Sequence, residues 1–430
     1  MQSYIFSDNH KKRSKIDPKY FTRDRKLKLE DITAMIINMI RRTLQIEIDS
    51  FIENILNKKD LNYTKQAFSK ARQKLSPKAF SSLNDELIKE YYSDNDFKKY
   101  EGWRLLAIDG SILEIPDNPE TQIIYGYSEN QVLGLKIARA KMSELYDIEN
   151  ELSISAKIDH YKSSEIRLAK ENIEKLLSFG HDEVKNLIIF DRGYPSFDLI
   201  KFLNEKKIDF LMRLNTSYWQ EEIKNAGEDE EIEIIINKNR KKELKRQGLE
   251  VKIGDSIKIR VIKFKLDSGQ EEILITNLTK EKLTLDEAKK LYFKRWSIET
   301  RFDALKNRLE IENFSGEKPL IIEQDFYATQ FVSNMAAILK HDAEEQLKKK
   351  NKEKNLKHEY KINNNILFGK IKNQLVLLLL EENEEKKLIL YKDFIEQIQK
   401  NVIPVRKNRK FERKKKTRSN KYPKCKRRAI

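Results

Sequence analysis

Four polar side chains late in this 430-residue sequence, Tyr292, Arg295, Glu299 and Lys306, stand at offsets of 0, 3, 7 and 14. At about 100° per residue they fall within roughly a 60° arc of one helix face. A phenol, two cations and a carboxylate in line suit a site that binds Mg²⁺ and phosphate. Mg²⁺ takes a few carboxylate oxygens and keeps its waters, leaving room for phosphate oxygens. The bland alternative is an exposed Arg295–Glu299 pair worth about a few tenths of a kcal/mol. It leaves unexplained why Trp296, Ile298, Phe302, Leu305 and Leu309 flank the stripe. Two further carboxylates stand out because each directly follows a strongly apolar run: Asp109 after Arg104–Ile108, and Asp191 after Leu187–Phe190. Layered α/β proteins often present active residues at strand ends. Asp-Gly and Asp-Arg-Gly are equally good turn sequences, so position alone leaves the two readings even. Three carboxylates from separate elements are about the minimum that can clamp two ions roughly 3.5–4 Å apart for phosphoryl transfer.

The elements that must carry these residues follow from periodicity. Ile32, Met35, Ile36, Met39 and Ile40, and then Phe51, Ile52, Ile55 and Leu56, recur at helical spacing. A helix from Thr64 places Phe68, Ala71 and Leu75 inward and Lys65, Lys70, Arg72 and Lys74 outward, ending at Ser76-Pro77. Arg104–Ile108, a stop at Asp109-Gly110-Ser111 and a resumption at Ile112–Ile115 read as strand, turn and strand. Val132–Lys141 and Glu151–Ile158 continue the sheet, and Glu165–Leu177 reads as helix. The strand Leu187–Phe190, a helix at Phe197–Asn204 and a strand at Phe210–Leu214 follow, giving an α/β core layer. Between 216 and 282, Ile232–Ile236, Leu249–Ile253, Ile257–Leu266 and Glu271–Leu278 read as an antiparallel β insertion. Thr284 and Glu287 form a capping box for one long helix to about Leu309. More helix is expected at 325–347 and 371–400, while residues 1–28 read as partly extended.

Charge is distributed unevenly. The net charge is +17, of which residues 401–430 contribute +13, with fourteen Lys/Arg (Arg406 to Arg428) against Glu412 alone. A concentrated basic arm on a weakly basic body points to a polyanion, nucleic acid being the commonest. The longest purely apolar run, Leu375–Leu380, is far short of the roughly 20 residues of a membrane helix, so no membrane association is expected. Met1–His10 has no apolar signal core, and the single Cys425 excludes an internal disulfide; a cytoplasmic protein is expected. One Cys and five scattered His residues offer no zinc spacing, and no glycine pattern cradles a phosphate, so a metal would be held by oxygen.

Asp109 in LLAIDGS, Asp191 in LIIFDRGYP, and Tyr-x2-Arg-x3-Glu-x6-Lys in YFKRWSIETRFDALK resemble bacterial insertion-sequence transposases. The likeness is to the DDE branch named for its Tyr-Arg-Glu-Lys signature. It is complete at all four signature positions, follows both Asp motifs in order, and spans about residues 30–340. It implies an RNase H-like α/β core interrupted by the β insertion, with an N-terminal helical DNA-binding domain and a helical, basic C-terminal region. The corresponding boundaries are 1–100, 101–215, 216–282, 283–345 and 346–430. Asp109, Asp191 and Glu299 would be the metal ligands and catalytic residues, for two Mg²⁺ ions that Mn²⁺ can replace. Tyr292, Arg295 and Lys306 would contact phosphates near the element end, and Arg192 would be a further DNA contact. Partners would be double-stranded DNA, as terminal inverted repeats and as target, with at least a dimer in the synaptic complex. Members of this family cut both strands at element ends and join the freed 3′ ends to target DNA. The best-characterised ones hold a flipped base against a Trp in the β insertion. This chain departs there, with Glu271 and Glu272 and no aromatic just before Ile273–Thr276, and with Tyr218 and Trp219 as candidates at the other end of the insertion. Two other readings are an RNase H-like endonuclease without strand joining, and a DNA-binding protein whose carboxylates are structural. The complete signature face argues against the second.

Overall fold

Runs of Leu, Ile and Phe without glycine or proline make strands because branched and aromatic side chains pack well on a pleated, buried surface. A computed structural model of the chain describes residues 1–405 apart from 24, 25, 59, 60, 130–133, 182, 216, 247, 267, 268 and 353–357. In it these runs assemble into one nine-stranded sheet. The strands are β1 (Arg104–Glu114), β2 (Tyr127–Glu129), β3 (Lys136–Asp147), β4 (Leu152–His160), β5 (Asn186–Phe190), β6 (Asp209–Arg213), β7 (Asp229–Ile235), β8 (Ser256–Lys265) and β9 (Glu271–Thr276). Their order is β2-β3-β1-β5-β6-β9-β8-β7, with β4 also paired to β3. β1, β5 and β6 are parallel and central. Leu105–Ile108, Leu187–Phe190 and Phe210–Met212 are buried throughout, the pattern of strands covered on both faces. The helices Glu165–Leu177 and Phe197–Glu205 lead into β5 and β6, each opened by a serine side chain, Ser164 or Ser196, that caps a backbone N–H.

Several expectations are corrected. The Asp109-Gly110-Ser111 stop does not form: β1 runs straight through it, because β3 pairs with it residue by residue, Asp109 opposite Glu144 and Ser111 opposite Met142. Ladder pairing outweighs local turn preference here. The strands between 216 and 282 pair antiparallel, as expected of the β insertion, and β9 also pairs antiparallel with β6, so they lengthen the same sheet. Leu249–Ile253 is not a strand, since Gly248 and Gly254 bend the chain on either side with φ of 80° and 93°. A charged helix, Lys238–Arg246, precedes it. The start of the expected Val132–Lys141 strand lies partly outside the described residues, as does all of the basic tail from Arg406 onward.

The expected helix from 284 to 309 is two helices, Leu285–Phe293 and Trp296–Asn307. The capping box is present at its start. Between the two, the N–H groups of Lys294, Arg295, Ser297 and Ile298 each bond the carbonyl three residues back, winding the chain more tightly. The physical reason is that two cores must be served. Ala288 and Leu291 pack with Leu105, Leu187 and Leu211 on the sheet, whereas Ile298, Phe302 and Leu305 pack with the C-terminal helices.

Residues 1–28 are not extended over their first half. Helices Gln2–Phe6 and Asp8–Arg13 dock on the Lys78–Tyr92 helix, burying Ile5 and His10. The 33-residue helix Pro319–Asn351 forms the spine. Two pairs fasten it to the N-terminal helices and to the turn before β4: the buried Arg72–Asp325 at 2.6 Å and the half-buried Lys340–Glu151 at 2.6 Å. Arg72 therefore faces inward, 2% exposed, rather than out to solvent as its helical position implied. Asn364–Leu380, bent at Lys372 and Asn373, and Glu384–Gln399 complete the C-terminal helices. Among the described residues no helix is long and apolar enough to cross a membrane.

Candidate active site

The parallel register of β1 and β5 brings the two aspartates together. Ala107 pairs with Ile189, so two residues further along Asp109 arrives beside Asp191, just where β5 has ended. β1 overhangs the end of β5, and the step so formed is the crevice at which the two aspartates meet. Asp109 is oriented by its neighbour, the Gly110 N–H donating to Oδ1 at 2.8 Å. Burial pushes the Asp109 carboxyl up to about 6, against the pull of that N–H and of Arg295, with the charges of Asp191 and Glu165 adding to the rise. Asp191 accepts a hydrogen bond from the Tyr292 hydroxyl at 3.2 Å.

Arg295 ties the helix junction to this crevice. Its side chain is 5% exposed; Nη1 lies 3.7 Å from Asp109 Oδ2 and Nη2 3.0 Å from Glu299 Oε1. The guanidinium stands 5.8 Å from the Tyr292 ring centre and 5.5 Å from that of Trp296. Thus Tyr292, Arg295, Glu299 and the two aspartates occupy one region, although the helix that carries the first three is broken. Lys306 stands apart from them. Its Nζ donates to the Ile112 carbonyl at 2.6 Å and lies 3.5 Å from Glu312, clamping the second helix to the far half of β1. Arg192 is exposed, next to Asp191. Among the described residues no three acidic side chains form a ready-made metal cage; the Arg295 guanidinium lies between Asp109 and Glu299.

The sequence reading missed two residues at this crevice. Glu165, first in its helix, lies near enough to raise Asp109 and pairs with Lys141 at 3.3 Å. Tyr194 is 1% exposed, and among the described residues its hydroxyl has no hydrogen-bond partner; Asp109, Glu165 and Asp191 all act on it. Nothing in the local pattern flagged Glu165, one acidic residue at a helix start among many. Tyr194 did lie within the quoted Asp-Arg-Gly-Tyr string. The donor set suits a hard divalent cation, since Asp109, Asp191, Glu299 and Glu165 offer only carboxylate oxygens, and the buried Tyr194 hydroxyl, within reach of the charges of Asp109, Glu165 and Asp191, is uncommitted among the described residues.

A second feature concerns charge. A large groove between the N-terminal segment and the Lys65–Arg72 helix is lined by Lys15, Lys19, Lys26, Lys28, Lys70 and Lys74, with the rings of Tyr20 and Tyr63. Lys70 and Lys74 were expected to face outward, and they do so into this groove. In the β insertion, Trp219 adopts φ of 48° and packs against the core, while Tyr218 is 41% exposed.

Comparisons with known proteins bear on the same region. A family model described as the transposase DDE domain matches residues 102–335. Transposase InsG for insertion sequence element IS4, from Escherichia coli (strain K12), is 22% identical over 325 residues, covering 73% of this chain and 70% of that protein. Among solved structures, the piggyBac transposase synaptic complex with hairpin DNA aligns over 95% of this chain and 86% of that one, with a TM-score of 0.43 and 11% identity. The Drosophila P element transposase strand transfer complex aligns over 91% and 95%, with a TM-score of 0.22 and 10% identity. Both scores are too low for a shared fold to follow from them.

Proposed function

The chain belongs to the family of transposases with a DDE domain and is a DNA transposase, and from that premise we propose how its residues act. Asp109, Asp191 and Glu299 are the catalytic acids and would hold two Mg²⁺ ions, or Mn²⁺ in their place, on an RNase H-like core. The bound ions would activate the attacking oxygen and stabilise the leaving one in cleavage and in 3′-end joining. The observation that carries this reading is the meeting of Asp109, Asp191 and the Arg295–Glu299 pair, contributed by the middle of β1, the end of β5 and a helix junction far apart in sequence.

Arg295 then has a double task. In the protein alone it neutralises Asp109 and Glu299; with DNA present its guanidinium turns to the phosphate, for which its planar fork is suited. Tyr292 holds Asp191 in place through its hydroxyl and lies beside the path of the strand. Arg192 is exposed next to Asp191 and contacts the backbone on the other side. Lys306 acts mainly through β1, keeping the helix that bears Glu299 in register with Asp109. The lysine groove receives duplex DNA by its phosphates. Joining two element ends to a target requires at least a dimer on DNA.

The test is incubation of the full chain and Mg²⁺ with a supercoiled plasmid carrying both element ends. Joined products are expected from the natural chain, and none from Asp109→Asn or Asp191→Asn, with DNA binding retained. Cuts without joined products would identify an endonuclease instead; full activity in either Asn variant would remove that residue from the site.

A further inference from the structure

We propose that Glu165 is a fourth acidic ligand of this site, completing with Asp109 and Asp191 an oxygen cage for a divalent cation. The proposal rests on the reading of those two aspartates as metal-binding. Its geometry is specific. A Cβ built on Gly110, the residue after Asp109, would lie 3.6 Å from Glu165 Oε1; one built on Gly193, two residues after Asp191, would lie 3.7 Å from Glu165 Oε2. The carboxylate therefore spans the gap between the two acid-bearing segments, one oxygen toward each. Both segments carry glycine where a side chain would touch it.

A second observation points to a ligand. Tyr194 is buried within reach of the charges of the same three acids, and among the described residues its hydroxyl has no hydrogen-bond partner. A buried donor of this kind calls for an oxygen acceptor, and water or phosphate oxygen on a bound cation would supply one. The competing explanation is that Glu165 merely favours its helix N-terminus and pairs with Lys141. That would account for the 3.3 Å ion pair. It does not require both carboxylate oxygens to lie against the glycines that adjoin the aspartates. Lys141 is itself held by the Ser163 carbonyl at 2.8 Å, so it keeps its place if Glu165 turns toward a cation.

Titration of the full chain with Mn²⁺, followed by the electron paramagnetic resonance of the free ion, decides between them. Glu165→Gln, with Glu165→Ala as a second variant, should weaken binding by roughly ten-fold or more, comparable with the loss of a partner at other metal sites. Lys141→Met removes the ion pair yet leaves the carboxylate, and should bind Mn²⁺ as tightly as the natural chain or more so. Circular dichroism checks that each variant is folded. Natural-like Mn²⁺ affinity in both Glu165 variants, with binding lost in Asp109→Asn, would overturn the assignment of Glu165 and leave the transposase site standing. Equal weakening by Glu165→Gln and Lys141→Met would overturn it too, showing a structural pair. Unchanged binding in Asp109→Asn and Asp191→Asn would instead bring down the metal reading of the site itself.

Discussion

At the residue scale, the crevice is a balance of opposite charges whose members do different jobs. Glu299 sits on Arg295 at 3.0 Å and is one-third exposed, so its contribution to stability is that of a partly solvated pair, under about 1 kcal/mol. Glu299→Gln is nearly isosteric and can still accept from Arg295, but it loses the negative charge that would hold a divalent ion against phosphate repulsion. The expected outcome is an unchanged melting temperature and unchanged DNA binding, with strand cleavage and strand transfer falling together, because one metal site serves both steps. Plasmid cleavage with Mg²⁺ and with Mn²⁺ measures it, and substantial cutting by the Gln variant would take Glu299 out of the chemistry. Tyr292 differs in kind, since its hydroxyl positions Asp191 and burial keeps the phenol protonated, its pKa pushed well up.

At the element scale, the helix break at Lys294–Arg295 is what lets one stretch of chain serve both the sheet and the C-terminal helices. The Trp296–Asn307 helix is pinned twice, by Lys306 to the Ile112 carbonyl and by Arg301 to Glu144, the residue opposite Asp109 on β3. Both charges of the Arg301–Glu144 pair are almost fully buried. Glu144→Ala strands the guanidinium and should cost about 3–5 kcal/mol of stability, read by urea unfolding. A cost below about 1 kcal/mol would mean that the pair is not what holds this helix. The lysine groove is the other element-scale feature. Lys70→Glu with Lys74→Glu should weaken binding to element ends and to random duplex alike. It should also lower the salt dependence, log K against log salt, by about two in slope if both lysines contact phosphate. An unaltered slope would place the DNA elsewhere.

At the scale of the whole molecule, one buried group between the N-terminal helices and the body, His10, must stay uncharged. His10 lies between Ser14 and Ser82, and burial lowers its pKa to about 4 from the ordinary 6.5, with Glu30 pulling the other way. Between pH 6.5 and 4 the unfolded chain takes up a proton that the folded chain refuses, so stability falls as the pH drops through that window. Above it there is no effect. The total is about 3 kcal/mol for a shift of this size. His341 is shifted the same way, so the difference between the natural chain and His10→Gln isolates the first. Urea unfolding at pH 7.5 and pH 5 should show a shallower pH dependence in the variant. Parallel behaviour would mean that the N-terminal helices detach before His10 matters.

The apolar runs before Asp109 and Asp191, and the spacing of Tyr292, Arg295 and Glu299, were legible in the sequence, because burial on both faces of a strand and helical periodicity are local patterns. The mixed α/β layer, the capping box at Thr284 and the outward course of Lys70 and Lys74 were legible for the same reason. Long-range packing decided the rest. Pairing with β3 carried β1 through an Asp-Gly-Ser sequence that by itself favours a turn. The need to serve two cores broke the signature helix, and Asp325, 253 residues away, drew Arg72 inside. Glu165 reached the glycines that adjoin the two aspartates because its helix packs across β1, β3 and β4. A contact between residues distant in the chain depends on the register and the layers that bring them together, and neither is written in the spacing of nearby residues.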